Sequence, residues 1–202
     1  MDYYDLGSGY VPKLPYNLGH REHSLSEILT CNPSLISFSG DKLFGSVQAG
    51  IIAGRADLIA KLKKNQLLRM LRVDKITLSL LEESIKAYLK EEWEHIPTLW
   101  LLFRSVEELS QRALMFQEKI GADYCEIIQS ETYMGGGTLP NRRFPTIALH
   151  IKGKAMTLEK KFREAHVIGR IENEQFLLDF RTILPSVEEK LITIIETIIG
   201  KK

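Results

Sequence analysis

Apolar positions in the middle of the chain recur with the spacing of amphipathic helices. A helix is predicted over residues 76–89, and Pro97 interrupts the pattern beyond it. A second helix is predicted to begin after Ser105, which forms a capping-box pair with Glu108, and to end at Gly121. The apolar face of the first helix is Leu78, Leu81, Ile85 and Leu89, and that of the second is Val106, Leu109, Ala113, Phe116 and Ile120.

The period changes after residue 121, and strands alternate with helices from there to the end. Strands are predicted over 124–129 and 145–151, and a short helix over 158–165. Residues 167–171 and 176–180 are typical of a hairpin joined across 172–174. A last helix is predicted to be capped by Ser186 and Glu189, with a buried stripe of Val187, Leu191, Ile194 and Ile198.

The first part of the chain has a different character. Glycine and proline are frequent in residues 1–24, which predicts a loop without regular structure, and Ser24 with Glu27 can cap a short helix. Residues 35–39 and 50–54 are short apolar runs that predict strands buried on both faces, and a helical pattern runs from residue 56 past residue 71.

The chain therefore divides into residues 1–75, which mix loops and buried strands, and residues 76–202, which form an α/β unit. Strands buried on both faces need neighbouring strands, and a Gly/Pro-rich loop is an unusual beginning for a domain. We therefore interpret the chain as a fragment or a truncated reading frame.

Composition excludes several classes of protein. The 202 residues are 44% hydrophobic and 26% charged, with a net charge of +1, so bulk charge indicates neither a nucleic-acid nor a membrane partner. Cys31 and Cys125 are far apart and lack the spacing of a zinc site, which predicts two reduced thiols and no metal. The N-terminus lacks the features of a signal peptide, and the apolar runs are too short to span a bilayer, so we expect a cytoplasmic location.

The candidate chemistry centres on Lys42, in the run Ser39-Gly40-Asp41-Lys42 that follows a predicted strand. A partly desolvated lysine is a nucleophilic amine that can form a Schiff base with an aldehyde cofactor, and Ser39 can bind a phosphate. Asp5 can pair with a protonated pyridine nitrogen. An exposed loop lysine and a turn aspartate are the alternatives on local grounds.

Basic residues are concentrated in residues 61–75. Arg69 and Arg72 are three apart, so on a helix they point the same way and suit a phosphate or another tetrahedral oxyanion, with a solvated basic face as the alternative. Gly135–Gly137 are predicted to form a flexible hairpin tip. Arg181, at a strand end, can point into a site or form a surface ion pair.

Several motifs, in order along nearly the whole chain, together resemble bacterial selenocysteine synthase, the L-seryl-tRNA(Sec) selenium transferase family. The resemblance implies an α/β fold: a partial large domain of the aspartate-aminotransferase fold of pyridoxal phosphate (PLP) enzymes, fold type I, in residues 1–75, followed by the small C-terminal domain in residues 76–202. The segments that carry it are Asp5–Gly9, Ser37–Leu43, Gln48–Ile52, Leu71–Leu78, Ile96–Leu99, Gly135–Pro140 and Ile168–Ile171.

The resemblance implies roles for individual residues. Lys42 would form the Schiff base with PLP, with Asp41 beside it as an acid or orienting group. Asp5 would pair with the pyridinium nitrogen and Ser39 would help to hold the phosphate. The other residues implied are Gly45 and Gln48 for the cofactor, and Arg69 and Arg72 for selenophosphate.

The implied reaction removes the seryl hydroxyl of seryl-tRNA(Sec) as water and adds selenium from selenophosphate to the dehydroalanyl product. The family resemblance also implies homodimers assembled into a larger ring. Gly45-Ser46-Val47 departs from the Gly-Gly-Pro of the family, and the N-terminal half of the family is absent, so we expect little or no activity from this chain alone. The alternatives are a related PLP-dependent lyase or ammonia-lyase acting on a small amino acid or amino sugar, and a non-catalytic remnant.

Overall fold

The computed structural model describes residues 1–19, 23–135, 138–139 and 142–201, and it is a mixed α/β structure. The chain divides into two compact units, Met1–Phe103 with Met134–Pro140, and Arg104–Tyr133 with Asn141–Lys202. Residues 76–103 are thus grouped with the first unit. A division by internal contacts does not test a domain boundary, so the predicted boundary after residue 75 stays a prediction.

The first unit contains a three-stranded sheet, five helices and one 3₁₀ turn in its described residues. They are β1 (Tyr3–Gly7), α1 (Leu25–Thr30), β2 (Leu35–Ser39), β3 (Gly50–Gly54), α2 (Ala56–Lys64), α3 (Leu68–Leu71), α4 (Lys75–Lys90), the 3₁₀ turn Trp93–His95 and α5 (Pro97–Phe103). The strand order is β1-β2-β3, with β1 parallel and β3 antiparallel to β2.

Side chains alternate between the two faces of this sheet, as they do along any strand. Leu6, Ile36 and Phe38 face a core that also holds residues from α1, α4 and the loop after β2. Asp5 pairs in register with Ser37, so these two side chains share the opposite face. The buried residues of this core include Leu6, Ile28, Ile36, Phe38, Phe44, Ala49 and Leu81.

The prediction of an unstructured loop over residues 1–24 was wrong, because Tyr3–Gly7 form a strand. The partner strand begins only at Leu35, and local composition carries no sign of such distant pairing. The capping box of Ser24 and Glu27 is confirmed at α1. The strand at 50–54 is confirmed, but it is an edge strand whose Ile52 is 52% exposed rather than buried on both faces.

The continuous helix predicted past residue 71 is broken. Helix α2 ends at Lys64, and Asn65 takes an extended conformation with ψ of 134°. The side chain of Asn65 accepts a hydrogen bond from the Leu67 N–H at 2.9 Å, which competes with the helical pattern and starts a new turn, α3. Asparagine at the end of a helix commonly has this effect.

Helix α4 is confirmed, but its buried face differs from the predicted one. Asp74 caps it by accepting from the Thr77 N–H at 2.8 Å. Of the four predicted apolar positions only Leu81 is buried, whereas Leu78 and Leu89 are 53% and 81% exposed. The inward face instead includes Ser84 and Tyr88, which hydrogen-bond to the loop after β2. The remaining predicted position, Ile85, is 46% exposed.

The second unit packs its helices on a four-stranded antiparallel sheet of order β4-β5-β7-β6. The predicted strands, the hairpin and the capping box of Ser105 and Glu108 are confirmed. The elements are α6 (Val106–Ile120), β4 (Cys125–Tyr133), β5 (Arg143–Ile151), α7 (Ala155–Glu164), β6 (Arg170–Glu172), β7 (Gln175–Asp179), the 3₁₀ turn Pro185–Val187 and α8 (Glu188–Ile199).

Two interpretations of the second unit are corrected by the structure. Helix α8 has no side-chain cap from Ser186, because a 3₁₀ turn starting at Pro185 precedes it. Of its predicted stripe, Leu191 is buried and Ile194 and Ile198 pack against the core, whereas Val187 is 44% exposed. Arg181 is 3% exposed, so it does not lie at the surface. Its guanidinium donates to two carbonyls, those of Arg104 and Pro145, at 2.8 and 2.7 Å, and it thereby holds the packing of this unit.

Both cysteines are free thiols, as predicted. None of the helices in the described ranges has the length and apolarity needed to cross a bilayer. Of the five histidines in the sequence, His20 lies outside the described residues, and the residues that are described contain no cluster of metal-binding side chains.

Candidate functional site

Lys42 lies in a tight loop that leaves the end of β2. Backbone hydrogen bonds close this loop on itself: the Gly40 N–H donates to the Ala49 carbonyl at 2.8 Å, and the Ser46 N–H donates to the Gly40 carbonyl at 2.7 Å. A further bond joins the Gly45 N–H to the Lys42 carbonyl at 2.9 Å. The backbone that carries the lysine is therefore held by the protein on both sides of Lys42.

Helix α4 attaches to this loop at two points. The Tyr88 hydroxyl donates to the Phe44 carbonyl at 2.9 Å, and the two rings stack with centroids 4.7 Å apart. Burial raises the pKa of the Tyr88 hydroxyl, which keeps the donor protonated. The Ser84 hydroxyl donates to Ser46 Oγ at 2.7 Å. Ser46, a departure from the family pattern, thus has a partner supplied by the same chain.

Gly45 occupies a position that demands glycine. Its φ is +71°, and a Cβ built there would lie 2.6 Å from Ile96 Cγ2 and 3.2 Å from Thr98 Cβ. The close approach brings the loop against the start of α5. Gln48, the other loop residue expected to bind the cofactor, is exposed, and its role stays a prediction.

A small cavity of about 200 Å³ opens beside Lys42. It is lined by Asp41 and Lys42, by Thr98 of α5, and by Met134, Gly135 and Thr138 of the segment between β4 and β5. Gly135–Gly137 of that segment were predicted to form a flexible hairpin tip, and Gly136 and Gly137 lie outside the described residues. The pairing of β4 with β5 confirms the hairpin, and Thr138, which follows the glycines, is 3% exposed.

Asp5 is oriented by a hydrogen-bonded row of hydroxyls. Ser37 Oγ donates to Asp5 Oδ1 at 3.1 Å. Tyr3 Oη lies 2.6 Å from Ser37 Oγ, and since the serine proton is used on Asp5, the tyrosine is the donor of this bond. Ser39, two residues after Ser37, is on the same side of β2. Ser37 was not predicted as a site residue, although the serine alternation in the strand was a signal for it.

The loop after β1 lies against the loop that carries Lys42. The Ser8 carbonyl accepts from the Phe44 N–H at 3.3 Å, and a Cβ on Gly9 would lie 2.8 Å from the Phe38 ring. The Ser8 hydroxyl is buried and finds no hydrogen-bond partner within the described part of the chain. A buried hydroxyl of this kind is suited to a polar group of a ligand.

Arg69 and Arg72 line a second, separate depression of about 740 Å³, together with Lys63, Asn65, Gln66 and Leu68. Arg69 belongs to the single turn of α3, and Arg72 is the residue that ends it. Both side chains are exposed. The structure thus brings the two arginines together, as their spacing predicted, at a place distinct from the cavity of Lys42.

Comparison with known proteins identifies relatives over almost the whole chain. The family model described as L-seryl-tRNA selenium transferase (SelA) matches residues 1–184. The L-seryl-tRNA(Sec) selenium transferases of Nautilia profundicola and Aliarcobacter butzleri each align with 98% of the chain, at 57% and 54% sequence identity. That of Sulfurimonas denitrificans is 52% identical, also over 98% of the chain.

The chain spans less than half of these relatives, 44% of the first and 45% of the other two. A solved structure described as SPT with PLP aligns with 99% of this chain and 48% of its own, but at 10% identity and a TM-score of 0.34. The sequence similarity alone therefore decides the assignment, and on that ground the chain belongs to the L-seryl-tRNA selenium transferase family.

Proposed function

We propose that this chain is the lysine-bearing part of a PLP-dependent enzyme of fold type I that converts seryl-tRNA(Sec) to selenocysteinyl-tRNA(Sec) with selenophosphate. The observation that carries the proposal is the cavity beside Lys42. Asp41 with Lys42, Thr98, and Gly135 with Thr138 come from three distant segments, and each segment belongs to the motifs shared with the family. A lysine without a function needs no such enclosure.

The residues present fit PLP. Lys42, Thr98 and Thr138 line the cavity, and their side chains bear an amine and two hydroxyls. The carboxylate of Asp5, fixed by Ser37, is a partner for a protonated pyridine nitrogen, and Ser39 shares that face of the sheet. PLP, when bound, stabilises negative charge on the substrate α-carbon.

Side chains of this chain carry out the proton transfer and the binding of the selenium donor. Lys42 presents a primary amine that attaches the cofactor and, once released from it, can accept the proton of the substrate α-carbon. Asp41 lines the same cavity, and its carboxylate can position the amine or receive a proton. Arg69 and Arg72 bind the selenium donor through its tetrahedral oxyanion.

The whole reaction belongs to a larger assembly than this chain supplies. Its relatives are more than twice as long, so tRNA binding and the ring of dimers are proposed for the full-length enzymes. We propose that the chain alone has little or no transferase activity and that it works in the cytoplasm, where seryl-tRNA is made.

The proposal is tested by adding PLP to the purified chain and recording the visible absorption band of a Schiff base. Borohydride reduction followed by peptide mass spectrometry locates the modified residue. We expect the adduct on Lys42, and we expect Lys42→Ala to lose both the band and the adduct while Lys154→Ala, at an exposed site in the second unit, retains them. An adduct that persists at other lysines, with Lys42 unmodified, would refute the assignment.

A further inference from the structure

We propose that Lys63 and Gln66 complete the oxyanion site of Arg69 and Arg72, with Lys63 as its third cation. This inference rests on the proposed function, since it concerns the binding site for the tetrahedral oxyanion of the donor. Neither residue belongs to the motifs that carry the family resemblance. Both line the same depression as the two arginines.

The break between α2 and α3 is what brings Lys63 to the site. In an unbroken helix each residue turns by about 100°, so Lys63 and Arg72, nine residues apart, would point about 180° away from each other. In the structure α2 ends at Lys64, and the chain turns at Asn65 before α3 begins. Lys63 and Arg72 therefore line one depression, which continuous helical geometry forbids.

The turn itself is fixed by specific hydrogen bonds. Asn65 Oδ1 accepts from the Leu67 N–H at 2.9 Å, so the asparagine side chain is occupied with the backbone. The Asn65 carbonyl accepts from the Leu68 N–H at 3.1 Å, and the Gln66 carbonyl accepts from the Arg69 N–H at 3.1 Å. Gln66 lines the depression, and its side-chain amide carries two N–H donors suited to an oxyanion.

The charge of this depression selects an anion. Its lining contains Lys63, Arg69 and Arg72 and no carboxylate among the described residues. In the surrounding residues 61–75 the only acid is Asp74, whose carboxylate accepts from the Thr77 N–H as the cap of α4. Three cations without a counter-charge in the lining, from two helices and a helix end, are arranged for a tetrahedral oxyanion rather than for an ion pair within the protein.

The same helix supplies matched controls, because Lys61 and Lys64 neighbour Lys63 without lining the depression. We would titrate the purified chain with inorganic phosphate and follow ¹H–¹⁵N NMR signals, including the side-chain amide of Gln66. Lys63→Ala should weaken phosphate binding about fivefold, the effect of one unit charge about 4 Å from the anion in water. Lys61→Ala and Lys64→Ala should change it by less than about twofold, because salt screens more distant charges.

Two further variants separate charge from structure. Lys63→Arg should retain phosphate binding, and Gln66→Ala should weaken it and remove the side-chain reporter signal. Equal effects of Lys63→Ala and Lys64→Ala would overturn the inference, because they would show a diffuse positive field. The inference would also be overturned if Lys63→Ala lost binding to a short RNA and kept phosphate binding, since the site would then serve the RNA backbone.

The outcomes also distinguish this inference from the proposed function on which it rests. If Arg69→Ala and Arg72→Ala weaken phosphate binding and Lys63→Ala does not, only the present inference fails. If none of the three variants weakens it, the role proposed for the arginines fails as well. Circular dichroism of each variant excludes loss of folding as the cause.

Discussion

The hydroxyl of Tyr88 is a single group whose removal tests how α4 supports the loop that carries Lys42. Tyr88→Phe keeps the ring and its stacking on Phe44 but removes the donor to the Phe44 carbonyl. A hydrogen bond of this kind contributes about 1 kcal/mol, and a buried carbonyl left without a donor adds to the loss. We therefore expect the free energy of unfolding to fall by about 1–2 kcal/mol at neutral pH.

The assay uses tryptophan fluorescence in a urea titration. Both tryptophans, Trp93 and Trp100, lie in the first unit, and the Trp93 ring contacts Tyr88 edge-on at 5.6 Å. Their emission therefore reports on the unit that contains the Lys42 loop. Tyr4→Phe, at a partly exposed tyrosine of β1, is the control and should leave the midpoint unchanged.

A pH series adds a signature specific to the hydroxyl. The folded pKa of Tyr88 is raised by burial, so its stabilisation is complete below the unfolded value of about 10 and is lost as pH rises above it. In that range the folded chain holds more protons than the unfolded chain, and stability falls with rising pH. Tyr88→Phe should lack this part of the alkaline decline. An unchanged midpoint at neutral pH together with an unchanged alkaline decline would refute the reasoning.

Two other substitutions test the packing of the loop and of the second core. Gly45→Ala places a Cβ 2.6 Å from Ile96 Cγ2 on a left-handed backbone, and it should lower the free energy of unfolding by about 2–4 kcal/mol, measured by tryptophan fluorescence. Gly50→Ala, at an open position, is the control and should lower it far less. Equal losses in the two variants would contradict the geometry. Phe162→Ala removes a fully buried ring that stacks on Phe176, and it should lower the free energy of unfolding by about 3–5 kcal/mol, measured by thermal circular dichroism. Met156→Ala, on the exposed side of α7, is the control and should be near neutral. A mild effect of Phe162→Ala would show that the core collapses around the missing ring.

The elements that were predicted correctly are those specified by neighbours in sequence. The caps of α1 and α6 depend on residues three apart, and the β6–β7 hairpin on a short turn at Asn173 and Glu174, which both take positive φ. Strand β1 was missed because its hydrogen bonds go to β2, and the inward face of α4 was misassigned because Ser84 and Tyr88 are held there by polar contacts.

In the candidate site, too, contacts between residues far apart in sequence could not be predicted. The chemistry of Lys42 and Asp5 follows from residue type and a family pattern, but the roles given to them stay predictions. Thr98 and Thr138 are brought to Lys42 only by folding, since they are 56 and 96 residues further along the chain. Lys63 was predicted only as part of a basic stretch. The turn at Asn65, by which Lys63 and Arg72 line one depression, breaks the continuous helix on which that prediction was based.

The segment Met134–Pro140 has a consequence for how the two units can evolve or be engineered. It joins two strands of the second unit, yet it is counted with the first, so the chain passes from one unit to the other three times. Dividing the chain at one position therefore does not separate the two units. A chimera that exchanged residues 104–202 as a block would also exchange Gly135 and Thr138 in the wall of the lysine cavity. Grafting the second unit between family members therefore requires keeping this segment from the recipient.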